Sequence, residues 1–391
     1  MSITTDRAEG SPMDEMGPAV VFPPGDYLLE ILNDRGWSQV DFAEIIGRAP
    51  KTVNEIIKGK TSITPTTANE IAEATGTNAL LWLNLETAYR LHRTAKSSPA
   101  IAQRAAIRQR VPLRLMVGRN WIRPSDDVAE LKREVVNFLG VRSLEEHQPL
   151  AMAAKQTAYN EPLTPIQEVW LLRVKQVAET LIVPSYSAAR LRQAVTQMES
   201  LLRGPDDVYQ VPKILSAVGV RFVVVERLPS LKIDGVCFWP TPTTPVIGMS
   251  LTRDRIDNFW FVLRHEIEHV LNGDGKTSAI VDNDLDKAPN VSDEEQLANE
   301  AAADFCVPAH EMRDFIVRKA PLFSEDNIRR FADTIGRHPG LVAGQLRKHL
   351  SRGPMGERAW TLYTSQLARV RHVITETATT DGFGHTLNIF A

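Results

Sequence analysis

Residues 255–272 read RIDNFWFVLRHEIEHVLN, and the fold of the chain turns on what this stretch is. At roughly 3.6 residues per turn, His265 and His269 fall one turn apart on the same helix face, so both imidazoles can reach a single ion. Glu266 stands beside the first histidine, where it can take a proton from an attacking water, and the H-E-x-x-H spacing is that of helices that bind zinc for hydrolysis. Ile256, Phe259, Trp260, Val262, Leu263, Ile267, Val270 and Leu271 give the apolar density of a core helix, and Gly273 is placed to end it. Two histidines and a glutamate buried there need partners, and a metal ion supplies them. The expected cofactor is therefore Zn2+, with His265 and His269 as ligands and Glu266 as the catalytic base.

At 391 residues the chain is near the upper size for one hydrophobic core, so two or three domains are expected. Apolar residues make up 43%, charged residues 24% and the formal charge is -3, so any nucleic-acid contact must be local. Cys237 and Cys306 are far apart and form no C-x-x-C pattern, which excludes a disulfide framework and suits a reducing cytoplasm. No apolar stretch reaches about 18 residues and no secretory leader stands at the start, so neither export nor a membrane span is expected.

Residues 1–20 lack periodicity and are expected to be a disordered tail. Helices then follow closely. Pro23-Pro24 opens the first, Ser38 caps a second that stops at Gly47, and Pro50 opens a third with a stripe of Val53, Ile56 and Ile57 that ends at Gly59. Thr64-Pro65 and Asn78 cap a fourth and a fifth. Two short helices joined by a tight glycine turn make a helix-turn-helix unit, whose second helix enters the major groove. Off the apolar stripe lie Lys51, Thr52, Asn54 and Glu55 for base edges, with Gln39, Arg48, Lys58 and Lys60 for phosphates. From Arg90 to Arg123 there are nine lysines and arginines and no acid. That run reads either as a solvated linker face or as an arm along the phosphate backbone. A homodimer on a palindromic double-stranded DNA operator follows from such geometry.

Pro23 to Leu91, including VNEIIKGK and LWLNLETAY, resembles the DNA-binding part of HigA-type antitoxins of the XRE/Cro-like helix-turn-helix family. HEIEH, the downstream EQLAN and the run from Ala302-Ala303 to Pro308 resemble the ImmA/IrrE metallo-endopeptidases. The resemblance implies a DNA-binding regulator of antitoxin ancestry fused to a zinc-peptidase-like module, with a toxin or repressor protein as partner. Residue by residue, it points to Glu295, in the E-x-x-A-N segment Glu295–Asn299, as third zinc ligand. Glu268 departs from it, because glycine is frequent before the second histidine in that family, and another carboxylate there either weakens substrate access or faces solvent.

The residues alone leave the third ligand open. Glu295 and Glu300 lie on the same helix, and Ser292 followed three residues later by Glu295 is also a capping box. Asn299 or Asp304 is expected to hydrogen-bond the histidine nitrogen that faces away from the ion. Between the two functional parts, helices are read from Ser125 to Gly140, from Thr164-Pro165 with Gln167 as capping partner, and from Ala188 to Leu202, forming a spacer. Val208–Ala217 reads as a helix. Val220–Val225, Gly235–Trp239 and Val246–Ser250 read as strands, the last an edge on which an extended peptide substrate can pair. Helices resume from Phe323 to Leu350, and the chain after Val373 is expected to be a loose tail.

The expected architecture is multidomain and mostly α: an all-α helix-turn-helix domain (21–95), a basic linker and helical spacer (96–205), an α+β zincin-like metallopeptidase domain (206–350) and a C-terminal helix and tail (351–391). Two functions fit it. The chain is a repressor whose zinc endopeptidase cuts itself or another regulator, or a repressor whose peptidase-like domain is a non-catalytic module that senses metal or binds a toxin.

Overall fold

The computed structural model describes residues 22–94, 99–148, 155–156, 163–276, 279–282 and 292–382, so the tail expected at 1–20 lies outside the described residues. The chain divides into two units, Met1–Pro99 and Ala100–Ala391.

Local signals set the helices of the first unit. α1 (Pro24–Asp34) and α3 (Pro50–Ile57) carry proline in their first turn, where its missing N–H costs nothing. α2 (Gln39–Ile45) opens with a reciprocal capping box between Ser38 and Asp41. α4 (Pro65–Thr75) is capped by Thr64 and ends on Gly76 in the left-handed conformation; α5 (Ala79–Arg93) starts from Asn78. Leu28, Leu32, Phe42, Val53, Ile71 and Trp82 fill one core between them. The Trp82 indole N–H, which burial would otherwise strand, donates to Thr77 Oγ1 at 2.7 Å. Gly25 lets α1 touch the C-terminal end of α3, because a Cβ there would overlap the Ile57 main chain.

The second unit is built on a mixed six-stranded sheet of order β1-β5-β3-β4-β2-β6. In chain order it comprises α6 (Pro99–Arg110), α7 (Leu113–Gly118), α8 (Val128–Leu139), β1 (Lys155–Gln156), α9 (Pro165–Glu179), α10 (Ala188–Met198), α11 (Val211–Ala217), β2 (Arg221–Val224), β3 (Gly235–Phe238), β4 (Val246–Met249) and α12 (Ile256–Asn272). β5 (Ile280–Asp282), α13 (Asp293–Cys306), α14 (Ala309–Lys319), α15 (Glu325–Ile335), α16 (Pro339–Ser351), α17 (Arg371–Thr377) and β6 (Thr379–Thr380) complete it. Strand alternation separates two cores. Phe222, Val224, Cys237, Ile247 and Met249 face the layer containing α12, whereas Val223, Val225, Val236, Phe238 and Val246 face the layer containing α9. Of the helices read as a spacer, α8 and α9 thus pack into one core against one face of the sheet, whereas α10 packs into the other core with α12; each has an apolar stripe, but its partners lie far along the chain.

Two expectations change. Val246–Ser250 is not an edge, because β4 pairs in parallel with β2 on one side and antiparallel with β3 on the other. All four of its residues are buried, as an unbroken apolar run in an interior strand requires. The chain after Val373 is not a loose tail as far as it is described: it completes α17, and β6 then pairs in parallel with β2 at the sheet's edge. Asp381 anchors that end, accepting from Trp121 Nε1 at 2.8 Å and lying 3.4 Å from Arg119 Nη1. Residues 383–391 lie outside the described residues.

Candidate metal centre and DNA-facing helix

α12 is a 17-residue helix whose apolar side chains lie in the core, which ends on Gly273 with φ 77°. The same burial encloses its polar residues: His265, Glu266 and His269 are each 0% exposed. α13 packs along it and brings in Glu295. His265 Nε2 and His269 Nε2 lie 3.0 Å apart, and the Glu295 oxygens lie 3.3 Å from each of them. All three ligand atoms fall within 4.8 Å of one another. Nitrogens held on one tetrahedral ion at about 2.0–2.1 Å lie about 3.3 Å apart, so the donor set and its spacing fit a three-ligand zinc site with a fourth position open.

Of the two glutamates left open by sequence, Glu300 is exposed and accepts from Gln296 Nε2 at 2.8 Å, away from the histidines. Ser292 caps α13 by accepting the Glu295 main-chain N–H at 3.3 Å, so Glu295 serves the helix end through its backbone while its carboxylate meets the imidazoles. A carboxylate that sequence reasoning did not single out, Asp274, also meets the pair: its Oδ2 lies 3.0 Å from His269 Nδ1. Asn299 Oδ1 is buried without a hydrogen-bond partner among the described residues, and Asp304 accepts from Ala309 N at 2.8 Å, capping α14. Both lie on α13 beyond Glu295, whereas Asp274 stands in the turn that α12 itself runs into. Its signal was the carboxylate directly after the Gly273 helix stop.

Glu266 lies against β3 at Gly235, where any Cβ would overlap Glu266 Oε1; glycine there makes room for the carboxylate. Nothing in the sequence separated this glycine from a turn residue. Glu268 is taken up on the helix surface by Arg264, at 2.7 Å one turn earlier. Cys306 is a core residue: burial, with the negative Asp257 adding to it, pushes the thiol up to about 12, so it stays protonated and a poor ligand.

In the first unit, Val53, Ile56 and Ile57 of α3 are buried, Lys51 and Lys58 are exposed, and Thr52, Asn54 and Glu55 are half-buried. Gln39 is half-buried and Lys60 exposed at either end of the pair. Glu55 also accepts from Thr61 Oγ1 at 3.3 Å. The Arg48 guanidinium forms a two-point pair with Glu70 of α4, at 2.5 and 3.1 Å. Within the basic run, Arg110 makes a like pair with Glu168 at 2.6 and 2.7 Å, and Arg119 lies at Asp381. Those two arginines are structural; Arg104, Arg108, Arg114 and Arg123 are exposed.

Residues 28–82 match the family model described as Helix-turn-helix, and residues 218–322 match the model described as IrrE N-terminal-like domain. The HTH-type transcriptional regulator YddM of Escherichia coli (strain K12) is 32% identical over 74 residues, which cover 19% of this chain and 79% of that protein. Two solved structures align with 18% of the chain, each with a TM-score of 0.18. One is an antidote protein of a plasmid maintenance system from Nostoc punctiforme, 37% identical and covered over 77% of its length. The other is an addiction module antidote protein of the HigA family from Coxiella burnetii, 32% identical and covered over 78%. No helix among the described residues is long and apolar enough to cross a membrane.

Proposed function

This chain belongs to the helix-turn-helix transcriptional regulators and carries an IrrE N-terminal-like domain, and we propose that it joins operator binding to zinc-dependent peptide hydrolysis in one molecule. In this reading residues 21–95 bind double-stranded DNA as a homodimer, in the manner of a HigA-type antitoxin with a toxin or repressor protein as partner. Residues 206–350 hold the hydrolytic site. The observation that carries the second half is the convergence of His265, His269 and Glu295, fully or nearly buried, one residue from the enclosed Glu266.

His265, His269 and Glu295 would hold the ion. Zinc, when bound, supplies Lewis acidity that activates water and polarises a carbonyl. Glu266 receives the proton of the attacking water on its carboxylate and passes it to the leaving amine. Gly235 leaves the space that this carboxylate occupies, and β3 behind it excludes bulk water.

One observation favours the second function, a non-catalytic module that senses metal or binds a partner protein: β4 is an interior strand, so the peptide-pairing edge expected there is closed. The test is incubation of the zinc-loaded chain, alone and with a random peptide library, with products read by mass spectrometry. Hydrolysis reduced at least about 100-fold by Glu266→Gln, with zinc retained, supports the enzyme. No product from either protein supports the metal-sensing or protein-binding module.

A further inference from the structure

The turn after α12 is built to a tighter specification than helix termination requires. Gly273 and Gly275 both take left-handed conformations, at φ 77° and 78°, and bracket Asp274. The Asp274 N–H donates to the His269 carbonyl at 2.9 Å, closing the end of the metal helix. Its carbonyl accepts from Trp239 Nε1 at 2.8 Å, fastening the turn to the residue after β3. Gly275 packs so closely on the same strand that a Cβ would sit 2.7 Å from the Cys237 carbonyl oxygen, and its own carbonyl accepts from Trp239 N at 3.3 Å. The main chain of Asp274 is thus fixed on both sides, and its carboxylate points at His269 Nδ1, at 3.0 Å.

We propose that Asp274 is the positioning residue of the metal centre: it fixes the His269 tautomer and ring orientation, and so sets the affinity for zinc. With the imidazole proton on Nδ1 and donated to Asp274, Nε2 keeps its lone pair directed at His265 Nε2 and Glu295. The other tautomer would place a proton where the ion belongs. The carboxylate also raises the basicity of the ring as a ligand. The sheet and the metal site are coupled through this turn, since the strand that accommodates Glu266 at Gly235 also holds the Asp274 carbonyl through Trp239.

This inference rests on the zinc reading above, and its test separates the two. Zinc affinity of the full-length chain is measured by competition with a chromophoric chelator for the unaltered protein, His265→Ala, Asp274→Ala and Asp274→Glu, together with the melting temperature of each zinc-free protein. The expected result is an affinity about 10–100-fold weaker in Asp274→Ala, partly restored in Asp274→Glu, while the zinc-free melting temperatures of the unaltered and Asp274→Ala proteins agree. A purely structural role for the turn would lower the zinc-free melting temperature and leave chelator competition unchanged, which overturns the proposal. Equal zinc affinity in the unaltered and Asp274→Ala proteins, with His265→Ala defective, overturns it while the metal site stands. Equal absence of zinc from the unaltered and His265→Ala proteins overturns the metal site and this inference with it.

Discussion

α3 and α12 are both amphipathic helices that carry the residues expected to act, and they carry them on opposite sides. In α3 the apolar stripe is spent on the core, and Lys51, Thr52, Asn54 and Lys58 remain on the side away from it. In α12 the acting residues lie inside the core, each with 0% exposure, and only their clustering makes that burial tolerable. A surface-reading helix can be varied residue by residue with its fold intact. A buried polar cluster cannot, because each member is part of the environment of the others.

The largest expected difference comes from cutting the support of α3. Trp82→Ala empties the middle of the first core and costs about 3–5 kcal/mol, enough to abolish operator binding in a filter or anisotropy assay; zinc content, held in the other unit, stays unchanged. On the metal side, Gly235→Ala forces a Cβ into Glu266 and costs about 1–3 kcal/mol by overpacking. Chemical denaturation reads that cost, and if Glu266 is the base of the proposed hydrolysis, peptide cleavage falls further than stability.

Smaller effects test the surface helix. Asn54→Ala lowers discrimination between operator and mismatched DNA by about 1–3 kcal/mol, and Lys58→Ala reduces the salt slope of binding by about 1. Arg48→Ala leaves that slope in place, since Glu70 already pairs with the guanidinium. Titrations at several salt concentrations distinguish the three. The smallest effect is a pH dependence at the start of α16. Burial holds the His338 imidazole below its ordinary 6.5, opposed by Asp257, and its Nδ1 accepts the Gly340 N–H at 3.0 Å. The folded chain binds this proton less readily than the unfolded chain, so the cap's stabilisation is complete above about pH 6.5 and is lost as pH falls through the lowered folded value. Melting temperatures across that range are expected to fall less steeply for His338→Asn, which keeps a capping side chain without the titration.

The first unit was largely legible because its signals are local: Ser38, Thr64 and Asn78 are caps and Gly76 is a stop, and each acts within a turn of itself. In the second unit, HEIEH was legible by spacing alone, but the choice of Glu295 over Glu300 needed a resemblance, since both stand on α13 and only packing decides which carboxylate faces α12. Gly235 could not be read because its partner is 31 positions away and is met only once β3 takes its register. Assigning an edge to Val246–Ser250 gave weight to its place before the metal helix, although an unbroken apolar run already argued for an interior strand. The pairing of Arg48 was hidden for a related reason: its charge was visible, but its partner on α4 was not.

The most direct test of the buried centre is the zinc content of protein purified without added metal, measured by atomic emission for the unaltered chain, His265→Ala and Glu266→Gln. The account predicts about one zinc per chain in the unaltered protein and in Glu266→Gln, and none in His265→Ala. Zinc absent from the unaltered protein, or undiminished in His265→Ala, would contradict it.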